Sequence, residues 1–77
     1  MIVNKLKIIT LDKTDYTIEK GKIFFDGIVE KITINRESGN IIIKFENSSD
    51  WEETTFILSN LESYTYAGKH PLELPVH

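Results

Sequence analysis

Short runs of β-branched and aromatic residues, separated by turn-forming residues, constrain the fold of this chain more than any other feature of its sequence. Isoleucine, threonine, phenylalanine and tyrosine dominate these runs, and alanine occurs once. Residues of these types favour strands and disfavour helices. The sequence therefore predicts an all-β fold built from five short strands.

The five strand candidates lie between segments rich in glycine, aspartate, asparagine and serine, which favour turns. They cover residues 5–11, 22–34, 41–46, 54–58 and 64–68. A short extended piece, 16–18, lies between turns at 12–15 and 19–22. One tight helical turn is expected at 59–63, with Ser59 or Asn60 as its cap and Leu61 directed inward.

The longest candidate, 22–34, changes its apolar face at Gly27. Ile23 and Phe25 share an apolar face before the glycine. After it, the apolar residues have the other parity, at Ile28, Ile32 and Ile34. A parity change at a glycine is typical of a β-bulge or a sharp bend. The sequence therefore predicts a long strand that bends at Gly27.

The hairpin that follows has a register that the apolar pattern selects. A loop at 36–39 pairs Asn35 with Asn40 and sets two isoleucine pairs on one face, Ile34 with Ile41 and Ile32 with Ile43. Gly39 can supply the positive φ that such a loop needs. The same register sets Glu30 opposite Phe45, for which the sequence offers no reason.

The order of elements over residues 20–67 resembles the layout of an SH3-like barrel: strand, long bent hairpin, strand, one tight turn, strand. The prediction is a small, five-stranded, partly open SH3-like barrel over 1–68, with one short helical turn before the last strand. Residues 69–77 are expected to be a flexible tail. No SH3 ligand-binding motif can be placed. An OB-like barrel, or a meander that packs on itself as a dimer, fits the same pattern.

Length and composition limit the class of protein. A chain of 77 residues is expected to form one domain, and the lack of cysteine fits a reducing compartment. Asn4, Lys5 and Lys7 interrupt the apolar run near the N-terminus, which argues against a signal peptide. No run approaches the length of a membrane span. We therefore expect a cytoplasmic protein.

No set of residues indicates catalysis, a metal or a cofactor. His70, Glu73 and His77 have a spacing that could bind a metal on a helix, but the two prolines of this segment disfavour one. Loop carboxylates are expected to be solvated charges, and the four glycines lie too far apart for a phosphate-binding loop. We expect no catalytic residues and no bound metal or cofactor.

Trp51, the single tryptophan, lies in the hydrophilic segment 47–56. Its acidic neighbours are Asp50, Glu52 and Glu53. The ring either folds over an open barrel end and covers Leu58 or Phe45, or stands exposed inside an acidic rim. An exposed aromatic anchor with a polar rim is typical of a protein-interaction hot spot.

These features favour a non-catalytic protein-interaction module. Its predicted partner-binding residues are Trp51, Asp50, Glu52, Glu53, Tyr64 and Tyr66. The acids around Trp51 favour a partner protein with a basic surface. The small size and acidic composition also suit a phage or mobile-element accessory protein that inhibits a host factor.

A single-stranded nucleic-acid-binding barrel is the alternative. Bases would stack on Phe24, Tyr64 or Tyr66, and phosphates would contact lysines at 5, 7, 20, 22 and 44. This alternative requires those lysines to gather on one face. A homodimer is compatible with either function, because Val29 and Ile42 are expected to leave an apolar strip on the outer face of the sheet.

Overall fold

The computed structural model describes residues 2–69, and over this range the chain forms seven strands and no α-helix. The strands are β1 (Ile2–Thr10), β2 (Asp15–Glu19), β3 (Ile23–Phe24), β4 (Gly27–Asn35), β5 (Asn40–Glu46), β6 (Glu53–Ile57) and β7 (Leu61–Lys69). Nothing in 2–69 is a helix that is long and apolar enough to span a membrane. The all-β prediction is confirmed, with seven strands instead of five.

The prediction of a flexible tail and the spacing of His70, Glu73 and His77 concern the C-terminal segment. Apart from Lys69, which ends β7, this segment lies outside the described residues.

The strands form two antiparallel sheets, with orders β2-β1-β7 and β3-β4-β5-β6. The chain passes from the first sheet to the second at Gly21, which has a φ of +85°. Gly21 donates its N–H to the Val29 carbonyl at 2.8 Å, and Val29 donates to the Lys22 carbonyl at 2.9 Å. Gly21 is therefore the corner at which the chain passes between the two sheets. The structure shows two antiparallel sheets, one of them curled into a half-barrel, and the five-stranded SH3-like barrel is not confirmed.

The inner faces of both sheets share one apolar core. Its buried members are Val3, Leu6, Ile8, Ile18, Val29, Ile32, Ile41, Ile43 and Phe45. Two β-bulges make this packing possible. The extra residue Asn4 in β1 lets Val3 and Leu6 face the same side, although they have opposite parity. Glu30 has the same role in β4 for Val29 and Ile32.

The predicted register of the β4–β5 hairpin is confirmed. Asn35 pairs with Asn40, and the two isoleucine pairs form as expected. Gly39 has a φ of +76° in the loop. The predicted register set Glu30 opposite Phe45. In the structure Glu30 is the extra residue of a bulge, and Val29 lies opposite Phe45 instead.

The bend predicted at Gly27 is a complete chain reversal. Phe24 pairs with Gly27, and Phe25 and Asp26 form the two-residue turn between them. The parity change therefore arises from a two-residue hairpin turn, in which Phe25 has a positive φ. The expectation that Ile23 and Phe25 form an apolar inner face is wrong. They are 76 % and 58 % exposed, because β3 lies at the sheet edge and Phe25 lies in the turn.

The apolar outer strip predicted from Val29 and Ile42 is also wrong in part. Val29 precedes the Glu30 bulge and therefore points into the core. Ile42 lies on the outer face, half-buried, between Thr33 and Thr55 of the neighbouring strands.

The helical turn expected before the last strand is a 3₁₀ turn at Leu58–Asn60. Its N-cap is Ile57, which makes no side-chain capping hydrogen bond, so the expected cap at Ser59 or Asn60 is wrong. Leu61 packs partly buried against the core, as expected. This turn carries the chain from the free edge of the second sheet to the first sheet.

Candidate interaction site

An open groove of about 660 Å³ lies where the β3–β4 turn approaches the β5–β6 loop. We call it the aromatic groove. It is lined by Phe25, Asp26, Phe45, Trp51, Glu53, Thr54 and Thr55. Phe25 and Trp51 are each 58 % exposed, whereas Phe45 is 6 % exposed. Two exposed rings therefore stand beside one buried ring. Of the two alternatives for Trp51, the structure shows the exposed one.

Phe25 is held in an unfavourable backbone conformation. Its φ of +57° lies in the left-handed region, which is unusual for a bulky residue. Its ring stacks on Phe24, with 4.4 Å between centroids, and lies 6.2 Å from the ring of Phe45. The turn geometry thus presents the ring at the rim of the groove.

Beneath the groove, four aromatic rings pack together: Tyr16, Phe24, Phe45 and Phe56. Phe24 lies 6.0 Å from Tyr16 in an edge-to-face arrangement and 6.4 Å from both Phe45 and Phe56. Tyr16 of the first sheet also lies 5.8 Å from Phe56 of the second. Ring pairs at these separations are favourable. Phe45, which lines the groove, therefore belongs to a packed aromatic cluster that joins the two sheets.

Ser48 connects the two loops that carry the exposed rings. Its Oγ accepts a hydrogen bond from the Trp51 N–H at 3.0 Å and donates one to the Asp26 carboxylate at 3.2 Å. Gly27 makes room for this contact, because a Cβ there would lie 2.9 Å from the Cβ of Ser48. The positions of Phe25 and Trp51 are therefore coupled through one side chain.

The groove is surrounded by negative charge. Asp26, Asp50, Glu52 and Glu53 are all exposed. Within residues 2–69, none of these four carboxylates takes part in an ion pair. Lys44 is paired in register with Glu53, but its ammonium lies 3.9 Å from the carboxylate of Glu30. The acids are thus free to interact with a positive partner.

Tyr64 and Tyr66 lie elsewhere in the molecule. They stack on the inner side of β7 with 6.3 Å between ring centroids, half-buried against the core. The Arg36 guanidinium lies 5.9 Å from the centroid of the Tyr66 ring and donates to its hydroxyl at 2.9 Å. The structure therefore brings Trp51 together with its acidic neighbours but not with the two tyrosines.

Phe25 and Asp26 are the site residues that the sequence analysis did not assign. The Asp-Gly pair at 26–27 is a hairpin signal, but it predicts a turn centred on residues 26 and 27, whereas the turn is centred on Phe25 and Asp26. The sequence pattern therefore does not place Phe25 at the tip.

The lysines proposed for phosphate binding do not gather on one face. Lys5 and Lys7 lie on the outer face of β1, Lys44 lies on the outer face of β5, and Lys20 and Lys22 flank the Gly21 corner. The Lys7 ammonium lies 3.8 Å from the Asp15 carboxylate, and Lys44 has the contact with Glu30. Positive potential is consequently divided over three regions and partly neutralised.

A second open groove, of about 840 Å³, lies between the sheets beside β4. Its charged lining residues are Lys20, Lys31, Arg36, Glu30 and Glu37. Since cations and carboxylates alternate there, this groove has no dominant charge. Within 2–69, no group of three histidine, aspartate or glutamate residues is placed to hold a metal ion.

Comparisons with protein-family models, with curated proteins and with solved structures each found no match.

Proposed function

We propose that this chain is a non-catalytic protein-interaction module that binds a partner protein through the aromatic groove. The observation that carries the proposal is the pair of exposed rings, Phe25 and Trp51, beside the buried Phe45. Full burial of one large apolar side chain stabilises a fold by about 1.5–3 kcal/mol. The exposure of Phe25 and Trp51 gives up part of that stabilisation at each position. Exposed aromatic anchors of this kind dominate the energy of many protein interfaces.

The charge around the groove supports a basic partner. Asp26 and Glu53 line the groove, and Asp50 and Glu52 flank Trp51 in the loop. Four carboxylates raise the rate of encounter with a positive surface and discriminate against acidic ones. Arginine is favoured among basic residues, because a guanidinium both stacks on an indole ring and pairs with carboxylates.

Two narrower statements belong to the same proposal. An SH3-like layout of residues 20–67 is supported by the 3₁₀ turn directly before the last strand. A role as a cytoplasmic phage or mobile-element protein that inhibits a host factor is supported by the small size and the acidic composition. Single-stranded nucleic-acid binding has weaker support, because its lysines are divided over three regions.

The test is affinity capture with matched surface variants. Wild type, Phe25→Ala, Trp51→Ala and Leu11→Ala are immobilised, and proteins retained from the expressing cell are compared by mass spectrometry. Leu11 is the control, since it is 61 % exposed in the β1–β2 turn, outside the groove. The expected result is a protein retained by wild type and Leu11→Ala but lost from both groove variants.

Two outcomes would contradict the proposal. Retention that is indifferent to Phe25→Ala and Trp51→Ala would mean that the groove is not the binding surface. Salt-sensitive retention of nucleic acid in place of a protein would favour the alternative function. Sedimentation of the purified wild type against Trp51→Ala distinguishes a second copy of this chain from a different partner.

A further inference from the structure

We propose that the partner binds as an extended segment that adds a strand to the free edge of β6, with alternate side chains entering the aromatic groove. This inference rests on the proposed function and specifies the conformation and chemistry of the partner at the same site. It follows from the hydrogen-bond register of β6, the position of the groove along that strand, and the surrounding charge.

The register shows which backbone groups of β6 are free. Phe45 donates its N–H to the Glu52 carbonyl at 2.8 Å, and Leu58 donates to the Gly39 carbonyl at 2.9 Å. Both pairs share the register of the ladder between β5 and β6. Hydrogen-bonded pairs alternate in an antiparallel ladder, so positions 52, 54, 56 and 58 face β5. The N–H and C=O groups of Glu53, Thr55 and Ile57 therefore point to the other edge.

In the part of the chain that the structure describes, no strand pairs with that edge of β6. Glu53, Thr55 and Ile57 are all exposed. Exposed edges are usually protected by proline, bulges or several charges. This strand has no proline and a single charged residue, Glu53, so its edge is suited to pairing with another chain.

The groove and the edge belong to one surface. Glu53, Thr54 and Thr55 of β6 line the groove together with Phe25 and Trp51. A strand added to this edge would lie about 4.8 Å from β6, with successive side chains on opposite faces. Every second side chain would then meet the rings, and backbone hydrogen bonds would set the register of the added strand.

The chemistry of the surface specifies the partner segment. Side chains that enter the groove meet the rings of Phe25, Phe45 and Trp51, which favour apolar groups or the flat face of an arginine. Glu53 lines the edge of the groove, but its side chain shares the outer face of the sheet with its pair partner Lys44. Side chains of the added strand on that outer face pass Glu53, which favours lysine or arginine. We infer a segment of about five residues in which apolar and basic side chains alternate, matched to the length of β6.

The edge of β7 is longer, but it does not have this combination. Among residues 2–69 it pairs with β1 alone, and its tyrosines are half-buried against the core. No exposed aromatic pair lines it in the described residues. Of these two edges, the edge of β6 is therefore the one that joins free backbone groups to exposed aromatic rings.

The experiment uses two sets of seven-residue synthetic peptides. One set alternates valine, isoleucine or phenylalanine with lysine or arginine, and the other contains the same residues in scrambled order. Peptides are titrated into wild type and into Thr55→Pro, Thr55→Val and Trp51→Ala. Proline at 55 removes an N–H that points away from β5, a position that an edge strand tolerates. Valine at 55 keeps that N–H and is the matched control.

The expected result is binding of alternating peptides in preference to scrambled ones. Thr55→Pro should weaken it at least about tenfold, because a donor is lost and the proline ring obstructs the edge. Thr55→Val keeps this N–H and should weaken binding less than Thr55→Pro does. Hydrogen exchange of wild type with the best peptide should slow at the amides of Thr55 and Ile57. If Thr55→Pro does not fold, hydrogen exchange at Thr55 and Ile57 tests strand addition by itself.

The outcomes separate the two proposals. Binding that depends on Trp51 but leaves Thr55→Pro unaffected, with no slowing of exchange at positions 55 and 57, would overturn strand addition and retain the proposed function. No preference for the alternating peptides would overturn strand addition as well. If neither the peptides nor any captured protein bind in a way that depends on Trp51, both strand addition and the proposed function are overturned.

Discussion

Ser48 donates a hydrogen bond to Asp26 across two loops that are 22 residues apart, with 3.2 Å between the two oxygens. The same Ser48 oxygen accepts the N–H of Trp51. One small side chain therefore ties the turn that presents Phe25 to the loop that presents Trp51. Because these hydrogen bonds order both loops before the partner binds, less conformational entropy is lost on binding.

Ser48→Ala should loosen the Trp51 loop. We expect a loss of about 0.5–1.5 kcal/mol in the free energy of unfolding, since hydrogen bonds to Trp51 and Asp26 disappear. The free energy of partner binding should be reduced by more than the free energy of unfolding, because the loop must then become ordered on binding. Urea unfolding and the fluorescence anisotropy of Trp51 measure the two effects. Ser49→Ala is the control, and an equal response of both variants would refute the role given to Ser48.

Gly27→Ala should destabilise the fold by steric conflict. A Cβ at this position lies 2.9 Å from the Cβ of Ser48 and 3.1 Å from that of Phe45. Overpacking of this kind costs about 1–3 kcal/mol. Gly21→Ala is the comparison, because its Cβ meets nothing within 4 Å and its cost comes from a φ of +85°. Thermal unfolding measures the loss of stability in both variants, and affinity capture should show that partner binding is impaired in Gly27→Ala and retained in folded Gly21→Ala.

Phe25→Gly and Phe25→Ala form a matched pair that separates the ring from the backbone. Both remove the ring and should abolish partner binding. Glycine adopts the φ of +57° without penalty, whereas alanine keeps the left-handed strain. The glycine variant should therefore be more stable than the alanine variant by about 1 kcal/mol. Chemical denaturation of both variants tests this order, and the reverse order would show that the turn is unstrained.

The emission of Trp51 should report an exposed indole. With 58 % of the residue exposed, we expect a red emission maximum and efficient quenching by acrylamide. Iodide should quench less, because Asp50, Glu52 and Glu53 repel an anion, and added salt should narrow this difference. Binding of an alternating peptide should shift the emission to the blue. A blue, protected emission from the free protein would show that the ring is covered.

Asp12 should titrate below the ordinary range of an aspartate. Hydrogen bonds from the side chains of Thr10 and Thr14, and from the Thr14 backbone, lower the pKa of its carboxyl. A lowered pKa in the folded state means that this contribution to stability is present above the unfolded pKa, and is lost as pH falls through the folded one. Thr10→Val should raise the pKa of Asp12 toward its ordinary value, as followed by NMR titration. Thr17→Val on β2 should leave it unchanged.

The local pattern of apolar and polar residues was sufficient to predict the strands and the register of one hairpin. The alternation of apolar and polar residues predicted the strands, and the isoleucine parity predicted the β4–β5 register down to the Asn35–Asn40 pair. The register prediction succeeds because a one-residue slip would turn Ile41 and Ile43 from the core to the outer face. The mismatch between Glu30 and Phe45 was itself informative, because it marked the position where the strand bulges.

The site needed the tertiary structure. By itself, the sequence determined an all-β chain, the register of its central hairpin, and a tryptophan among carboxylates. The tertiary structure decided that Trp51 is exposed, that Phe25 joins it while Tyr64 and Tyr66 do not, and that β6 has a free edge. Strand patterns depend on neighbours in sequence. Burial and edge position depend on where the turns and bulges send each strand, and that is set by packing between the two sheets.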